Sequence, residues 1–263
     1  MKKIYSLCLL ALLMLTTSLI SQTVYTFNNA SASGNNGPTL AQTNAAYVST
    51  TLAGAVTVSG NGIQHWTVPV TGNYSIEGYG AQGGDAIGFS LLGGKGAYIK
   101  GTFFLTAGTV LNVVVGQIGA DASSGSSGGG GSFIYTGAIG GGGLMIAAGG
   151  GGGTGHNPAH GGNGSATSTP VSSGTGRGDG GFQGIGLGGN GGSGVGGMVA
   201  SWNSAAAGGA GWGSDGLDGF FAGDAANLGH KGTRFTGGYW GTSTSSFQGG
   251  FGGGGGCGGS GYS

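Results

Sequence analysis

Glycine dominates residues 116–263, which hold 57 of the 73 glycines in this 263-residue chain. The densest runs are residues 140–143, 149–153 and 252–256. A segment so poor in side chains cannot build an ordinary hydrophobic core, so it either stays disordered or packs its backbones directly against one another. Because glycine loses more conformational freedom on folding than any other residue, order requires a specific hydrogen-bond partner for its backbone groups.

Polyproline II geometry offers such an arrangement, because it has three residues per turn and no hydrogen bonds inside one helix. Glycine at every third position lets two such helices approach and bond across. Collagen is excluded, because it requires about 15–20% proline and the chain has four prolines. Embedded aromatic residues disfavour a disordered linker. Several such helices side by side would form a bundle. The glycines predicted to pack this bundle are spaced three residues apart, at Gly188, Gly191, Gly194 and Gly197.

The first 21 residues have the pattern of a secretory signal peptide. Lys2 and Lys3 precede an apolar run over residues 4–15, and small residues follow up to Ser21. The run is shorter than the roughly 20 residues that a membrane span needs, and no later segment is a candidate. The mature chain is therefore predicted to be secreted or cell-surface, with no membrane span. Its mild negative charge and lack of a basic patch exclude nucleic acid as a partner.

Residues 22–148 have the pattern of a β-sandwich with glycine-rich insertions, and residues 149–263 that of the polyproline II bundle. Short segments rich in β-branched and aromatic residues indicate strands, and their number favours a sandwich or jelly roll. A short connection at residues 106–108 predicts a hairpin, and residues 42–47 are compatible with one helical turn. The predicted strands are residues 23–27, 63–68, 73–79, 97–105, 109–115, 132–135 and 144–148.

Catalytic, cofactor and metal sites are not predicted. The single glutamate and six aspartates show no spacing that suggests an acid–base pair. His156 and His160 flank Pro158, which breaks a helix, and two ligands are too few for a metal. Asp215 lies in a partial match to a calcium-binding repeat, but the match does not recur. The tripeptide starting at Arg177 matches an integrin motif by chance.

Aromatic residues return between residues 199 and 248, where the share of glycine falls. Aromatic side chains in loops are typical of recognition surfaces. The alternative is that they cap the bundle and fill its junction with the sandwich, since burial is the usual fate of such rings. The candidate ligand-binding residues are Trp202, Trp212, Phe220, Phe221, Tyr239 and Trp240.

Eight segments follow one another at residues 37–47, 62–72, 79–84, 93–97, 111–117, 128–133, 144–150 and 249–257. In this order they resemble the glycine-rich extracellular domain of the anaplastic lymphoma kinase and leukocyte tyrosine kinase receptors and its bacterial secreted relatives. The resemblance implies a tumour-necrosis-factor-like β-sandwich carrying an inserted polyproline II bundle. In the receptors this region binds a small secreted protein.

Departures from that family limit what the resemblance implies. The chain has no transmembrane helix and no kinase domain, so enzymatic signalling is not predicted. Cys257 is the only cysteine after signal cleavage, so it is either an inert thiol or pairs with a cysteine outside this chain. The family's closing strand is expected to be missing, because the sequence stops at Ser263, so either the chain is a fragment or its sandwich has an open edge.

The sequence therefore predicts a non-catalytic, receptor-like binding or adhesion module of bacterial origin, without a cofactor. A rigid glycine bundle would present loops to an extracellular protein or glycan, and its stiffness would lower the ordering cost of binding. The alternative is a structural matrix protein that self-associates. Ice binding is a weaker third possibility, because no regular threonine or alanine row is present.

Overall fold

The computed structural model describes residues 22–123, 126–154, 161–164, 172–173, 186–187, 212, 215, 233, 235–237 and 248–255. The predicted signal peptide, the four bundle glycines at positions 188–197 and Cys257 lie outside the described residues. So do His156, His160, the integrin-like tripeptide and all the candidate aromatic residues except Trp212.

The described part is mostly β-structure, with one α-helix and one short 3-10 helix at Ile87–Phe89. The α-helix, α1, spans Leu40–Tyr47. The strands are β1 (Val56–Ser59), β2 (Ile63–Thr67), β3 (Gly72–Tyr79), β4 (Tyr98–Leu105), β5 (Val110–Val114), β6 (Ser132–Tyr135), β7 (Leu144–Ala148), β8 (Ser172–Ser173) and β9 (Gly186–Leu187).

Two antiparallel sheets form the main layers. One has five strands in the order β1-β2-β5-β6-β7, and the other consists of β3 and β4. β8 and β9 pair separately. The apolar faces of the two layers meet, because Tyr74, Ile76 and Phe103 of the two-stranded sheet pack on the core around Trp66 and Leu111. The prediction of an all-β fold is confirmed in this respect.

Two local predictions are wrong. Residues 106–108 do not close a hairpin, because β4 pairs with β3 while β5 pairs with β2. The turn instead carries the chain from one sheet to the other. Residues 23–27 form no strand, although Tyr25 and Phe27 pack their rings on Trp66. β1 was not predicted, and α1 is longer than the single turn expected.

Helix α1 begins with a capping box. The Thr39 hydroxyl accepts a hydrogen bond from the Gln42 backbone N–H, and the Gln42 side chain accepts one from the Thr39 N–H. Both bonds satisfy backbone donors that a helix start leaves unpaired. The helix ends at Tyr47, whose buried hydroxyl donates to Gln64 Oε1 over 2.7 Å. Burial raises the pKa of Tyr47, although hydrogen bonds with Asn28 and Gln64 partly oppose this.

A second core lies on the opposite face of the five-stranded sheet. Its aromatic rings are close together, with centroids 5.1 Å apart for Phe133 and Phe235 and 4.8 Å apart for Tyr135 and Trp212. The sheet is therefore buried on both faces over β5 and β6. The buried members of this core are Val114, Phe133, Tyr135, Trp212, Phe235 and Phe251.

The glycine segments within the described residues are joined by backbone hydrogen bonds. Residues 126–131, here called the central segment, donate to three different neighbours in turn. Each neighbour receives bonds from residues three apart. The bonds run from Ser126 and Gly129 to Thr154 and Gly151, from Ser127 and Gly130 to Ala120 and Gln117, and from Gly128 and Gly131 to Gly255 and Gly252, at 2.8–3.1 Å.

Glycine is required in this network because the neighbouring backbones occupy the space of a side chain. A Cβ on Gly130 would overlap the carbonyl oxygen of Phe251, and one on Gly151 would overlap that of Gly94. By contrast, Gly72 at the start of β3 has no neighbouring atom within 4 Å of where a Cβ would sit. The prediction that backbones pack directly against one another is confirmed for these segments.

The buried phenol of Tyr135 predicts sensitivity to alkali. Burial raises the pKa of Tyr135 to about 12, whereas an unfolded tyrosine ionises near pH 10. The stabilisation is complete below about pH 10 and is lost between about pH 10 and pH 12, because only the unfolded chain releases its proton there. We expect Tyr135→Phe to make the thermal midpoint fall less steeply over that interval. Tyr98→Phe, at a half-exposed phenol, is the control, and equal slopes for both variants would contradict this assignment.

Candidate functional site

Strands β3 and β4 continue beyond the sheet as one long hairpin. Residues 80–84 extend β3, residues 93–97 extend β4, and residues 85–92 connect them. The extensions remain paired, because Gly80 N–H donates to Ala97 O over 2.8 Å and Gly83 N–H donates to Gly94 O over 2.9 Å. The central segment also accepts bonds from Ala81 and Gly84. One continuous ribbon therefore crosses both the sheet layer and the glycine network.

The face of this hairpin that points away from the core is the candidate binding surface, here called the outer ribbon face. Alternate residues of both strands are exposed along its length. Three large apolar or aromatic side chains stand on it: Phe104 is 70% exposed, Tyr79 62% and Tyr98 51%. Its cross-strand pairs are Asn73 with Phe104, Ser75 with Thr102, Glu77 with Lys100, and Tyr79 with Tyr98.

The centre of the outer ribbon face combines an aromatic pair with an ion pair. The rings of Tyr79 and Tyr98 have centroids 4.8 Å apart and planes inclined by 36°. Beside them Lys100 Nζ donates to Glu77 Oε1 over 2.7 Å. That hydrogen bond, followed by charge attraction, lowers the pKa of Glu77 and raises the pKa of Lys100. Both groups therefore stay charged at neutral pH.

This arrangement suits recognition better than stability. An ion pair between exposed side chains contributes little to folding, because water screens the charges. The exposed rings gain little from burial, yet aromatic side chains are enriched where proteins bind partners. The two rings supply apolar area, while Glu77 and Lys100 supply an acceptor and a donor next to it. A partner that covers the face would desolvate both kinds of group together.

The loop at the far end of the hairpin carries a second exposed apolar cluster, here called the apolar tip. Ile87 is 68% exposed, Leu92 57% and Phe89 52%. The loop is anchored at its base, because the Asp85 carboxylate accepts from Gly93 N–H over 2.8 Å. The Asp121 carboxylate in turn accepts from Asp85 N–H over 2.7 Å.

Of the ligand-binding residues predicted from sequence, Trp212 is the one that the structure describes. It is 7% exposed and belongs to the second core, where its indole N–H donates to Gly141 O over 3.3 Å. This position agrees with the alternative in which the aromatic residues fill a junction. Within the described residues, which include Asp215, no group of three or more metal-ligating side chains comes together.

The sequence alone did not predict the outer ribbon face. Alternation within residues 73–79 places Tyr74 and Ile76 on one face and Ser75 and Glu77 on the other, and the structure has this division. The missing information was the register with β4, which places Glu77 opposite Lys100. One available signal was the scarcity of charge: in a chain with 5% charged residues, the sole glutamate on a strand next to two tyrosines is conspicuous.

Comparison with known proteins finds similarity to a receptor. Over 105 residues the chain is 39% identical to the leukocyte tyrosine kinase receptor of Mus musculus. The match lies in the extracellular region of that receptor and supports a related domain. It covers 39% of this chain and 12% of the receptor, so the chain spans a small part of its relative's length. No protein-family model matches the chain. Among the described residues, none of the helices has the length and apolar character needed to span a bilayer.

Proposed function

We propose that this chain is a secreted or cell-surface, non-catalytic binding module that recognises an extracellular protein or glycan through the outer ribbon face. The observation that carries the proposal is the exposed aromatic pair of Tyr79 and Tyr98 beside the ion pair of Glu77 and Lys100. The similarity to a receptor extracellular region supports a receptor-like role.

The proposed architecture is a tumour-necrosis-factor-like jelly roll with an inserted bundle of polyproline II helices. The two antiparallel layers support the first part. Support for the second part comes from the central segment, where N–H groups three residues apart share a neighbour. That spacing is the one expected for a helix of three residues per turn without internal bonds. We extend the same packing to Gly188, Gly191, Gly194 and Gly197.

A rigid support is the physical advantage of this arrangement. Binding is weakened when a loop or side chain must be ordered at the moment of contact. The outer ribbon face lies on paired strands, and its hairpin is held along its extensions by backbone bonds to the glycine network. The rings of Tyr79 and Tyr98 are therefore presented in place before any partner arrives. In this proposal Trp202, Phe220, Phe221, Tyr239 and Trp240 add further recognition area.

The proposal is tested by removing the aromatic pair from the mature protein. We expect Tyr79→Ser combined with Tyr98→Ser to weaken capture of a glycan or protein partner by at least about tenfold, since truncating an interface anchor typically costs more than about 1 kcal/mol. The measurement is a glycan array and a pull-down from extracellular material, followed by titration of the partner found. Val48→Ser, at an exposed apolar position following α1, is the matched control. Equal affinity of the double variant and the control would refute recognition by this face.

A structural role as a self-associating matrix protein is the second candidate, and the apolar tip favours it. Three exposed apolar side chains on one anchored loop offer area for contact between copies. Sedimentation of the purified protein over a concentration series tests this role. Self-assembly of the wild type that disappears in the double variant Ile87→Ser, Phe89→Ser would support this role. A wild-type protein that stays monomeric at all concentrations would exclude it.

A further inference from the structure

Three polar side chains stand in line across neighbouring strands on the face of the five-stranded sheet that carries the second core. The Ser59 hydroxyl lies 2.5 Å from His65 Nε2, and His65 Nδ1 lies 2.6 Å from Asn112 Oδ1. Ser59 is the last residue of β1, His65 is central in β2, and Asn112 is directly opposite His65 on β5. The line is separate from the outer ribbon face.

The hydrogen bonds of Asn112 determine which nitrogen of His65 carries its proton. The Asn112 side-chain amide donates through Nδ2 to Gly137 O over 3.0 Å, which leaves Oδ1 facing the imidazole. Oδ1 only accepts, so His65 Nδ1 must donate to it. In the neutral ring Nε2 is then the acceptor, and the Ser59 hydroxyl donates to it.

We propose that Ser59 is an activated nucleophile that accepts an acyl group from an activated ester, with His65 as its general base and Asn112 as a positioning residue. A serine hydroxyl is a weak nucleophile unless an adjacent base removes its proton, and that base is usually oriented by a third group. Ser59, His65 and Asn112 supply those three parts. Ser59 is exposed and Asn112 is buried, so a donor reaches the hydroxyl while the orienting amide stays fixed.

The covalent step balances within these groups and the donor. Ser59 Oγ forms a bond to the acyl carbon, while its proton moves to His65 Nε2. The bond from the acyl carbon to the leaving oxygen breaks, and the leaving group departs with the electron pair. It takes up the proton from His65 or leaves as an anion, in which case His65 returns its proton to water. No oxidant, reductant or metal is needed.

The same face supplies an apolar neighbour to the acyl acceptor. Ile63 lies directly opposite Ser59 in the register between β1 and β2, and it packs against the second core. A donor with a short apolar or aromatic ester group would therefore rest against the half-buried side chain of Ile63. Ser59, His65 and Asn112 could also serve only to hold neighbouring strands together by hydrogen bonds. The reactivity of Ser59 toward an ester distinguishes this structural role from the proposed chemical role.

The test uses the full mature chain and 4-nitrophenyl acetate, followed by release of nitrophenolate and by peptide mass spectrometry. We expect a burst of one nitrophenolate per chain and an acetyl group on Ser59. Ser59→Ala should abolish the burst, and His65→Gln should slow it by about a hundredfold or more, the usual contribution of a general base. Ser49→Ala, at an exposed serine in the turn after α1, is the control and should leave the burst unchanged.

Asn112 is tested by its conservative variant. Asn112→Asp loses the donor to Gly137 O but keeps an acceptor for Nδ1–H, so it should retain most of the acetylation. Asn112→Leu has no acceptor and should lose acetylation even where its thermal midpoint shows a folded chain. If Asn112 had only a structural role, the two variants would be acetylated equally as long as both were folded. Acetylation of Ser59 no faster than that of Ser49, or an unchanged rate in folded His65→Gln, would overturn the proposal.

Discussion

Gly130→Ala should lower the thermal midpoint of the protein by about 10 °C. The new Cβ would overlap the carbonyl oxygen of Phe251, so residues 248–255 must move away from the central segment. That movement breaks the bond from Gln117 N–H to Phe251 O and the bond from Gly131 N–H to Gly252 O. A buried donor left without a partner costs about 1–3 kcal/mol. In a chain of this size each kcal/mol lowers the midpoint by about 2–4 °C.

The matched control is Gly72→Ala, the same change at a glycine with open space around it. Its midpoint should stay within about 2 °C of the wild type, because a surface substitution typically changes stability by no more than about 0.5 kcal/mol. Amide exchange gives a second measurement, in which Gly130→Ala should expose the N–H groups of residues 126–131 first. Equal midpoints for the two variants would show that the central segment is not closely packed in solution.

Phe251→Ala should destabilise the fold by about 3–5 kcal/mol, the usual cost of emptying a buried phenylalanine site. Phe251 is fully buried and belongs to the second core. Its ring lies over Gly37, while its N–H donates to Gly34 O over 2.8 Å and its carbonyl accepts from Gln117. Phe251→Ala leaves these backbone bonds possible and removes only the ring, which fills the second core and covers Gly37. Chemical denaturation at equilibrium measures the loss.

Phe104→Ala is the control for this second variant, because it removes the same ring from a position that is 70% exposed. Its free energy of unfolding should change by no more than about 0.5 kcal/mol. A loss below about 1 kcal/mol in Phe251→Ala would mean that residues 248–255 do not dock against the sheet in solution.

Local patterns were sufficient to predict strands whose side chains alternate between a buried and an exposed face. β3, β6 and β7 were predicted to within one residue, because their branched and aromatic residues stand out among glycines. The burial of Gln64 and Trp66 on one face of β2 also follows from alternation. The direct contact between glycine backbones follows from composition, since no other packing is available to such segments.

Pairing between distant segments was not predictable in the same way. The turn at residues 106–108 looks like a hairpin, yet a turn sequence alone does not say whether the next strand stays in the same sheet. The strand predicted at residues 23–27 fails for a related reason: Tyr25 and Phe27 are suited to a strand but are used to cover Trp66. The contact between His65 and Asn112 joins residues 47 positions apart in sequence, and it depends on the register between β2 and β5.

The hydrogen bonds of the central segment restrict which insertions and deletions this protein can tolerate there. Consecutive N–H groups there serve three different neighbours in rotation, and each neighbour is served again after three residues. Inserting or deleting one codon would turn every later N–H group of the segment toward the wrong neighbour. The hydrogen bonds to all three neighbours would then be disturbed. A change of three codons would restore the rotation. Length variation among descendants of this gene should therefore fall in the turns, or occur in multiples of three residues.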